Sequence, residues 1–231
     1  MPPLLSVIVP VYNEEKTIAE ILNLIDSIKI DKEVIAVDDG STDRSREILA
    51  KLHIPSLKVV LHPENLGKGA AFRTGLKNAS GDIVIIQDAD LEYNPNDYPK
   101  LIQPILDKRA DLVLGARFVK GYKGLFLHQF GNRFLTFVLN ALYGIRLNDI
   151  NTCYKAAKRE IFTLLDLKAR DFSLEQEILI KALKNKLRLL EVPIEYHPRN
   201  YSQGKKIRIQ DGLRMISKML ELKFERRLNH E

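Results

Sequence analysis

The chain of 231 residues holds one cysteine, Cys153, so no internal disulfide framework is possible and a reducing compartment is expected. No apolar run approaches the ~20 residues that span a bilayer. There is no low-complexity stretch, internal repeat or linker long enough to divide the chain. Met1-Pro2-Pro3 shows no basic-then-apolar leader, which predicts a cytoplasmic location and leaves the sequons Asn78-Ala79-Ser80 and Asn200-Tyr201-Ser202 as chance. Several catalytic signatures are also missing. There is no GxSxG elbow for a serine nucleophile and no GK[ST] phosphate loop. The five histidines lack metal-ligand spacing, and Cys153 has no CxxC partner. The basic C-terminal stretch lacks interleaved aromatic residues, so nucleic acid is not an expected partner.

What remains is a globular composition, 45% apolar and 29% charged, with a formal charge of +6 placed unevenly. From His197 onward nine basic residues face four acids, nearly all of the excess. That stretch reads either as a solvated basic helix or as a surface facing an anion, a membrane or a phosphorylated ligand. Along the first half, strands at Leu5–Pro10, Glu33–Asp38, Leu57–Leu61, Ile83–Asp88 and Leu112–Gly115 alternate with amphipathic helices at Lys16–Ile28, up to about Leu52, at Ala70–Ala79 and near Asp97–Lys108. Ser41, Thr42 or Asp43 is the expected N-cap of the second helix. Such alternation predicts an α/β fold with a parallel sheet covered on both faces. The second half predicts a helix at Leu125–Tyr143, apolar around much of its circumference, a strand at Asn151–Ala156, a helix at Leu174–Lys186, a strand at Leu189–Tyr196, a Gly/Ser/Lys-rich loop at Arg199–Ile207 and a last amphipathic helix. The 125–143 helix suits burial, a homodimer contact or a membrane interface.

In parallel sheets ligands sit beyond the C-terminal strand ends. Tyr12-Asn13-Glu14, Asp38-Asp39, Asp88-Ala89-Asp90 and Arg117 all follow such ends, so four polar clusters converge on one rim. The stretch VIIQDADLEYNP ends a buried run in two carboxylates one residue apart, where a counter-charge is needed. A turn there can aim Asp88 and Asp90 at one magnesium or manganese ion shared with substrate phosphates, and Glu92 can add a third oxygen. The alternative is an acidic turn or helix cap. Asp38 and Asp39 suit a base or ribose contact, or an Asx turn. Gly67-Lys68-Gly69 can present amides and a lysine to phosphate.

VIVPVYNEE, DDGSTD, NLGKGAAFRTG, QDADLEYNP and LGARF, in that order, resemble family 2 glycosyltransferases of GT-A fold. NTCYK, FSLEQEI, EVPIEYHPR and GKKIRIQDG are similar to the dolichyl- and polyprenyl-phosphate sugar transferase branch, which includes dolichol-phosphate mannosyltransferases. The resemblance implies one domain over residues 1–231, with a nucleotide-sugar-binding half (1–118) and an acceptor and membrane-side half (119–231). The sheet would be mainly parallel and Rossmann-like, with helices on both faces and a C-terminal acceptor-side extension. It also implies a nucleotide-diphosphate sugar donor, a divalent cation (Mg or Mn) and inversion at the anomeric carbon. Carried onto this chain, Pro10, Tyr12 and Glu14 would line the nucleotide site, with Val37 and Asp39 on base or ribose. Lys68, Asp88, Ala89 and Asp90 would hold the diphosphate, with Asp88, Asp90 and Glu92 as metal ligands. Arg117, Arg133, Arg199 and Lys205 would serve the donor and acceptor phosphates. Where mannosyltransferases tend to carry a Ser-Gly-Phe-Arg type segment, this chain has Thr152-Cys153-Tyr154-Lys155, which leaves the sugar open. Some relatives carry C-terminal transmembrane helices, whereas this sequence stops after a basic amphipathic helix.

Two acceptors follow from the resemblance. A polyprenyl or dolichyl phosphate brings its own anionic oxygen, and the apolar 125–143 helix and basic tail favour it at the cytoplasmic membrane face. A saccharide hydroxyl needs a base, for which Glu175 and Glu177 are the candidates. A non-catalytic nucleotide-sugar-binding protein is a third reading, opposed by the intact Asp88, Asp90 and Arg117. A sugar-1-phosphate nucleotidylyltransferase would need a glycine-rich loop where Val11-Tyr12-Asn13-Glu14 stands.

Overall fold

A computed structural model describes residues 4–117, 126–199 and 209–224. The elements, in chain order, are β1 (Leu5–Val11), α1 (Ile18–Ser27), β2 (Lys32–Asp38), α2 (Ser45–Lys51), β3 (Leu57–Leu61), α3 (Lys68–Asn78), β4 (Ile83–Ile86), a 3₁₀ turn (Pro95–Asp97), α4 (Tyr98–Leu106), β5 (Leu112–Ala116), α5 (Phe126–Tyr143), β6 (Lys155–Lys158), α6 (Arg159–Leu164), α7 (Leu174–Lys184), β7 (Leu189–Pro193) and α8 (Ile209–Phe224). Seven strands form one sheet in the order β3-β2-β1-β4-β6-β5-β7. β1 pairs in parallel with both β2 and β4, and β5 in parallel with β7. The fold is the α/β GT-A fold, a mainly parallel sheet with helices packed on it.

Burial follows the strand sequences. Leu5, Val7, Ile8, Val9 and Val11 of β1 and the Ile83-Val84-Ile85-Ile86 run of β4 are buried on both faces, which is what a central parallel strand demands. β3 is the edge strand, with Lys58 exposed along it, and its side chains are largely solvated. Among the helices, α3 packs on β1 and β2, α4 on β5 and β6, and α8 on both α5 and α7.

Three expectations need correction. The strand expected at Asn151–Ala156 lies at Lys155–Lys158, runs antiparallel and wedges between β4 and β5. Residues 151–153 leave the ladder because their polar groups are engaged elsewhere: Asn151 Nδ2 donates to Asn132 Oδ1, and the Cys153 amide to the Tyr93 hydroxyl. β4 stops at Ile86 and β7 at Pro193, so Asp88 and Tyr196 stand in loops beyond the strands. Finally, α2 starts at Ser45 with Arg44 at its cap position and no side-chain cap. Asp43 does accept the Ser45 amide (2.9 Å), but Ser41 and Thr42 face Asn13 instead. Asn13, in a left-handed conformation (φ 53°), accepts the Thr42 amide through Oδ1 and donates its own amide to Ser41 Oγ. This sews the loops after β1 and β2 together at the rim.

Candidate active site

The loops after β1, β2 and β4 wall a cleft of about 460 Å³. Pro10, Tyr12, Glu14, Asp39, Lys68, Asp88, Ala89, Asp90 and Glu92 line it from the first half, together with Asn65 and Gly67. Asp171, Phe172, Arg199 and Arg214 close it from the second half.

Asp39 is a staple. Its Oδ1 takes the His62 ring (2.7 Å) and the Leu66 amide (3.0 Å), while Oδ2 takes the Gly67 amide (2.8 Å). Asp38 turns away to Arg46 Nε (2.8 Å) and makes the Asx-type contact to the Ser41 amide. Two of the three amides of the Gly67-Lys68-Gly69 turn are not presented to a ligand as expected. The Gly67 amide is used by Asp39, and that of Gly69 donates to the Arg170 carbonyl at 2.8 Å. Only glycine fits this clasp: Gly67 has φ 93°, and a Cβ there would lie 2.2 Å from the Arg170 oxygen. The turn is thereby locked onto residues 169–171, which brings Asp171 and Phe172 to the cleft.

The counter-charges for the two aspartates come from opposite sides. Lys68 Nζ sits 2.7 Å from both Asp88 Oδ1 and Glu175 Oε1, with the Phe172 ring 5.9 Å away. Burial alone would lower the Lys68 pKa, but the surrounding negative charge, with Asp88 foremost, drives it well above its ordinary value. Burial likewise works to raise Asp88, and Lys68 outweighs it, so Asp88 stays low. Arg199 bridges the other side: Nη2 lies 2.5 Å from Asp90 Oδ2, and Nη1 3.0 Å from Glu14 Oε2. Its amide donates to Glu92 Oε1 (2.7 Å), and the Tyr196 hydroxyl donates to Glu92 Oε2 (2.8 Å). Burial and the nearby charges of Asp88, Glu92 and Glu14 push Asp90 up to about 8 despite Arg199.

Among the described residues no ready-made group of three or more metal-binding side chains is present. The donor set nevertheless fits a hard divalent cation. Asp88 and Asp90 offer carboxylate oxygens at one turn, and both line the cleft together with Glu92.

Other expected site residues lie elsewhere. Val37 is buried in β2, between Pro10 and Val60 of its neighbours. Arg117 does not line the cleft. Its Nε and Nη2 fork onto fully buried Asp149 (2.6 and 2.8 Å), and its guanidinium stacks over Tyr196 at 5.0 Å. Arg133 is exposed on α5, and Lys205 falls outside the described residues. Glu175 touches the cleft only through Lys68. Glu177 holds the Lys168 and Ala169 amides (3.0 and 2.7 Å) and Lys181 (2.9 Å). Sequence reading passed over Asn65, Asp171, Phe172, Arg214 and Asp149. Phe172 opens the FSLEQEI motif, Asp171 directly precedes it and Asn65 opens NLGKGAAFRTG, signals that could have pointed to them.

The family model for glycosyl transferase family 2 matches residues 6–165. The chain belongs to glycosyltransferase family 2. A relative from Methanococcus voltae, UDP-N-acetylglucosamine–dolichyl-phosphate N-acetylglucosaminyltransferase, is 32% identical over 96% of both chains. Dolichol-phosphate mannosyltransferase of Pyrococcus furiosus is 32% identical over 95% of this chain and 64% of its own length. Within family 2 the transferase therefore sits with the polyprenyl-phosphate sugar transferase-like members. Among solved structures, glucosyl-3-phosphoglycerate synthase from Mycobacterium tuberculosis, in complex with Mn2+, UDP and phosphoglyceric acid, superposes with a TM-score of 0.71. That match is 24% identical and covers 95% of this chain and 77% of the other, a likeness of fold. The transferase is an enzyme, and its chemistry is glycosyl transfer.

Proposed function

We propose that this transferase moves a hexose from a nucleoside-diphosphate sugar, GDP-mannose or a UDP-hexose, to a polyprenyl or dolichyl phosphate with inversion at the anomeric carbon. The carrying observation is that the carboxylates near the acceptor side are each tied to a cation or to hydrogen-bond donors through at least one oxygen. Glu175 is paired with Lys68, and Glu177 with backbone amides and Lys181. Asp171 is held below the ordinary carboxylate range: burial would raise it, but the Ser173 hydroxyl and amide outweigh that. Such groups are poor proton acceptors, whereas a phosphate monoester arrives with an anionic oxygen and needs no base. The two relatives named for dolichyl phosphate support the same acceptor.

The donor lies along Pro10, Tyr12, Glu14, Asp39 and Ala89, with its diphosphate toward Asp88 and Asp90. Glu92, braced by Tyr196 and the Arg199 amide, completes the acidic wall. A divalent cation held by Asp88 and Asp90 would supply positive charge to the diphosphate. Lys68 keeps Asp88 ionised and oriented by tying it to Glu175. The acceptor phosphate oxygen forms a bond to C1 from the face opposite the diphosphate while the C1–O bond to the diphosphate breaks, and its electron pair leaves with the nucleotide. No proton changes hands. Arg199 and Arg214, on the second-half wall, meet the acceptor's phosphate; Arg117 acts from behind by fixing Tyr196.

The lipid tail would be met by α5 and α8, which pack together. Phe134 and Phe137 of α5 and Leu220 and Phe224 of α8 are exposed, with Arg133, Arg146 and Lys223 beside them in the chain. No helix among the described residues is long and apolar enough to cross a membrane, so contact is proposed as peripheral, at the cytoplasmic membrane face.

Transfer of radiolabelled sugar from a panel of UDP- and GDP-sugars into butanol-extractable polyprenyl phosphate, with Mg or Mn, tests this reading. A metal-dependent lipid product absent with Asp90→Ala is expected. Donor hydrolysis without lipid product would overturn the acceptor assignment, and no donor binding would overturn the donor assignment.

A further inference from the structure

Asp90 has two oxygens with different fates. Oδ1 accepts the Glu92 amide at 3.2 Å across the turn, which leaves Oδ2 as the oxygen available to an outside cation. Arg199 Nη2 occupies that oxygen at 2.5 Å, and Nη1 reaches Glu14 at 3.0 Å. The contact is incomplete. The arginine side chain is 17% exposed, yet its Nε is buried and has no partner among the described residues. A guanidinium held with one buried donor unsatisfied is poorly committed to its place. Lys68 contrasts with it, set between the two carboxylates Asp88 and Glu175 with an aromatic ring alongside.

We infer that Arg199 is the displaceable counter-ion of Asp90 and competes directly with the divalent cation for Asp90 Oδ2. Arrival of the cation turns the guanidinium out of the acidic cluster and frees it for an anion on the acceptor side. Coupling of this kind is reciprocal: an anion that engages Arg199 strengthens cation binding by the factor that the cation strengthens anion binding. Donor loading and acceptor capture are thereby linked through one side chain. The inference rests on the metal-dependent reading above.

The test is Mn2+ binding to the full chain without nucleotide, counted by electron paramagnetic resonance of the free ion. Arg199→Gln should bind Mn2+ at least about tenfold more tightly than the natural protein, since a charge-assisted competitor has been removed. Arg214→Gln removes the same charge from the same cleft and should change affinity by less than about threefold, as a screened field effect does. Millimolar methylguanidinium should weaken Mn2+ binding to Arg199→Gln more than to the natural protein, and matching circular dichroism spectra check the fold. Equal affinity of Arg199→Gln and the natural protein would overturn the competition and leave the metal clamp standing. An equal gain from Arg214→Gln would overturn it too, since the effect would then be general charge. Absence of Mn2+ binding to either protein at millimolar concentration would overturn both the competition and the metal reading.

Discussion

Replacing Lys68 with methionine perturbs the buried centre of the cleft wall, and its cost can be worked from the geometry. The ammonium lies 2.7 Å from both Asp88 and Glu175, whose side chains are 25% and 6% exposed. Removing one partner of a buried ion pair costs roughly 3–5 kcal/mol, because the remaining charge is stranded. Water reaches Asp88 in part, so the expected loss sits near the lower end, about 3 kcal/mol. For a chain of this size that corresponds to a fall of roughly 6–12 °C in melting temperature. The pH dependence carries a sign. In the natural protein the Lys68 pKa is raised on folding, so its contribution is full below the unfolded lysine value and is lost only as pH rises through the higher folded value. Its contribution is therefore flat from pH 6 to 9. Urea denaturation followed by circular dichroism measures both effects, and the double variant Lys68→Met/Glu175→Leu should recover at least about 1 kcal/mol. A loss below about 1 kcal/mol, or a double variant no more stable than the single, would refute Lys68 as the buried strut between the two carboxylates.

Three further outcomes are expected. Asp90 is raised to about 8 on folding, so the metal-free protein should lose stability as pH rises from 5 to 8.5, a trend that thermal melts should find flattened in Asp90→Asn. Arg117→Met strands fully buried Asp149 and should cost roughly 3–5 kcal/mol, with Arg117→Lys only partly restoring it because the bidentate fork is lost; chemical denaturation reads both. Phe137 is 68% exposed on α5, so Phe137→Glu should leave the melting temperature within about 2 °C while lowering co-sedimentation with anionic vesicles at least about fivefold.

The sequence by itself determined the alternation of buried strands and amphipathic helices, the gathering of Glu14, Asp39, Asp88 and Asp90 beyond the strand ends, and the family to which those motifs belong. These are local properties. Periodicity sets an element's type, and an acidic residue next to an apolar run marks where the strand leaves the core. Local reading failed where the partner was distant. Arg117 also stands just past a strand end, yet its fork is turned to Asp149, a residue with no signal of its own. Glu175 and Glu177 are two residues apart on one helix, and packing sends one to Lys68 and the other to backbone amides. The antiparallel insertion of β6 was equally hidden, since the four residues Lys155-Ala156-Ala157-Lys158 carry no sign of strand direction. Tertiary structure alone decided which cation meets which carboxylate: Lys68 and Arg199 come from different halves of the chain to the same turn. A sequence shows that buried charges need partners, but which partner is near depends on how the whole sheet is closed.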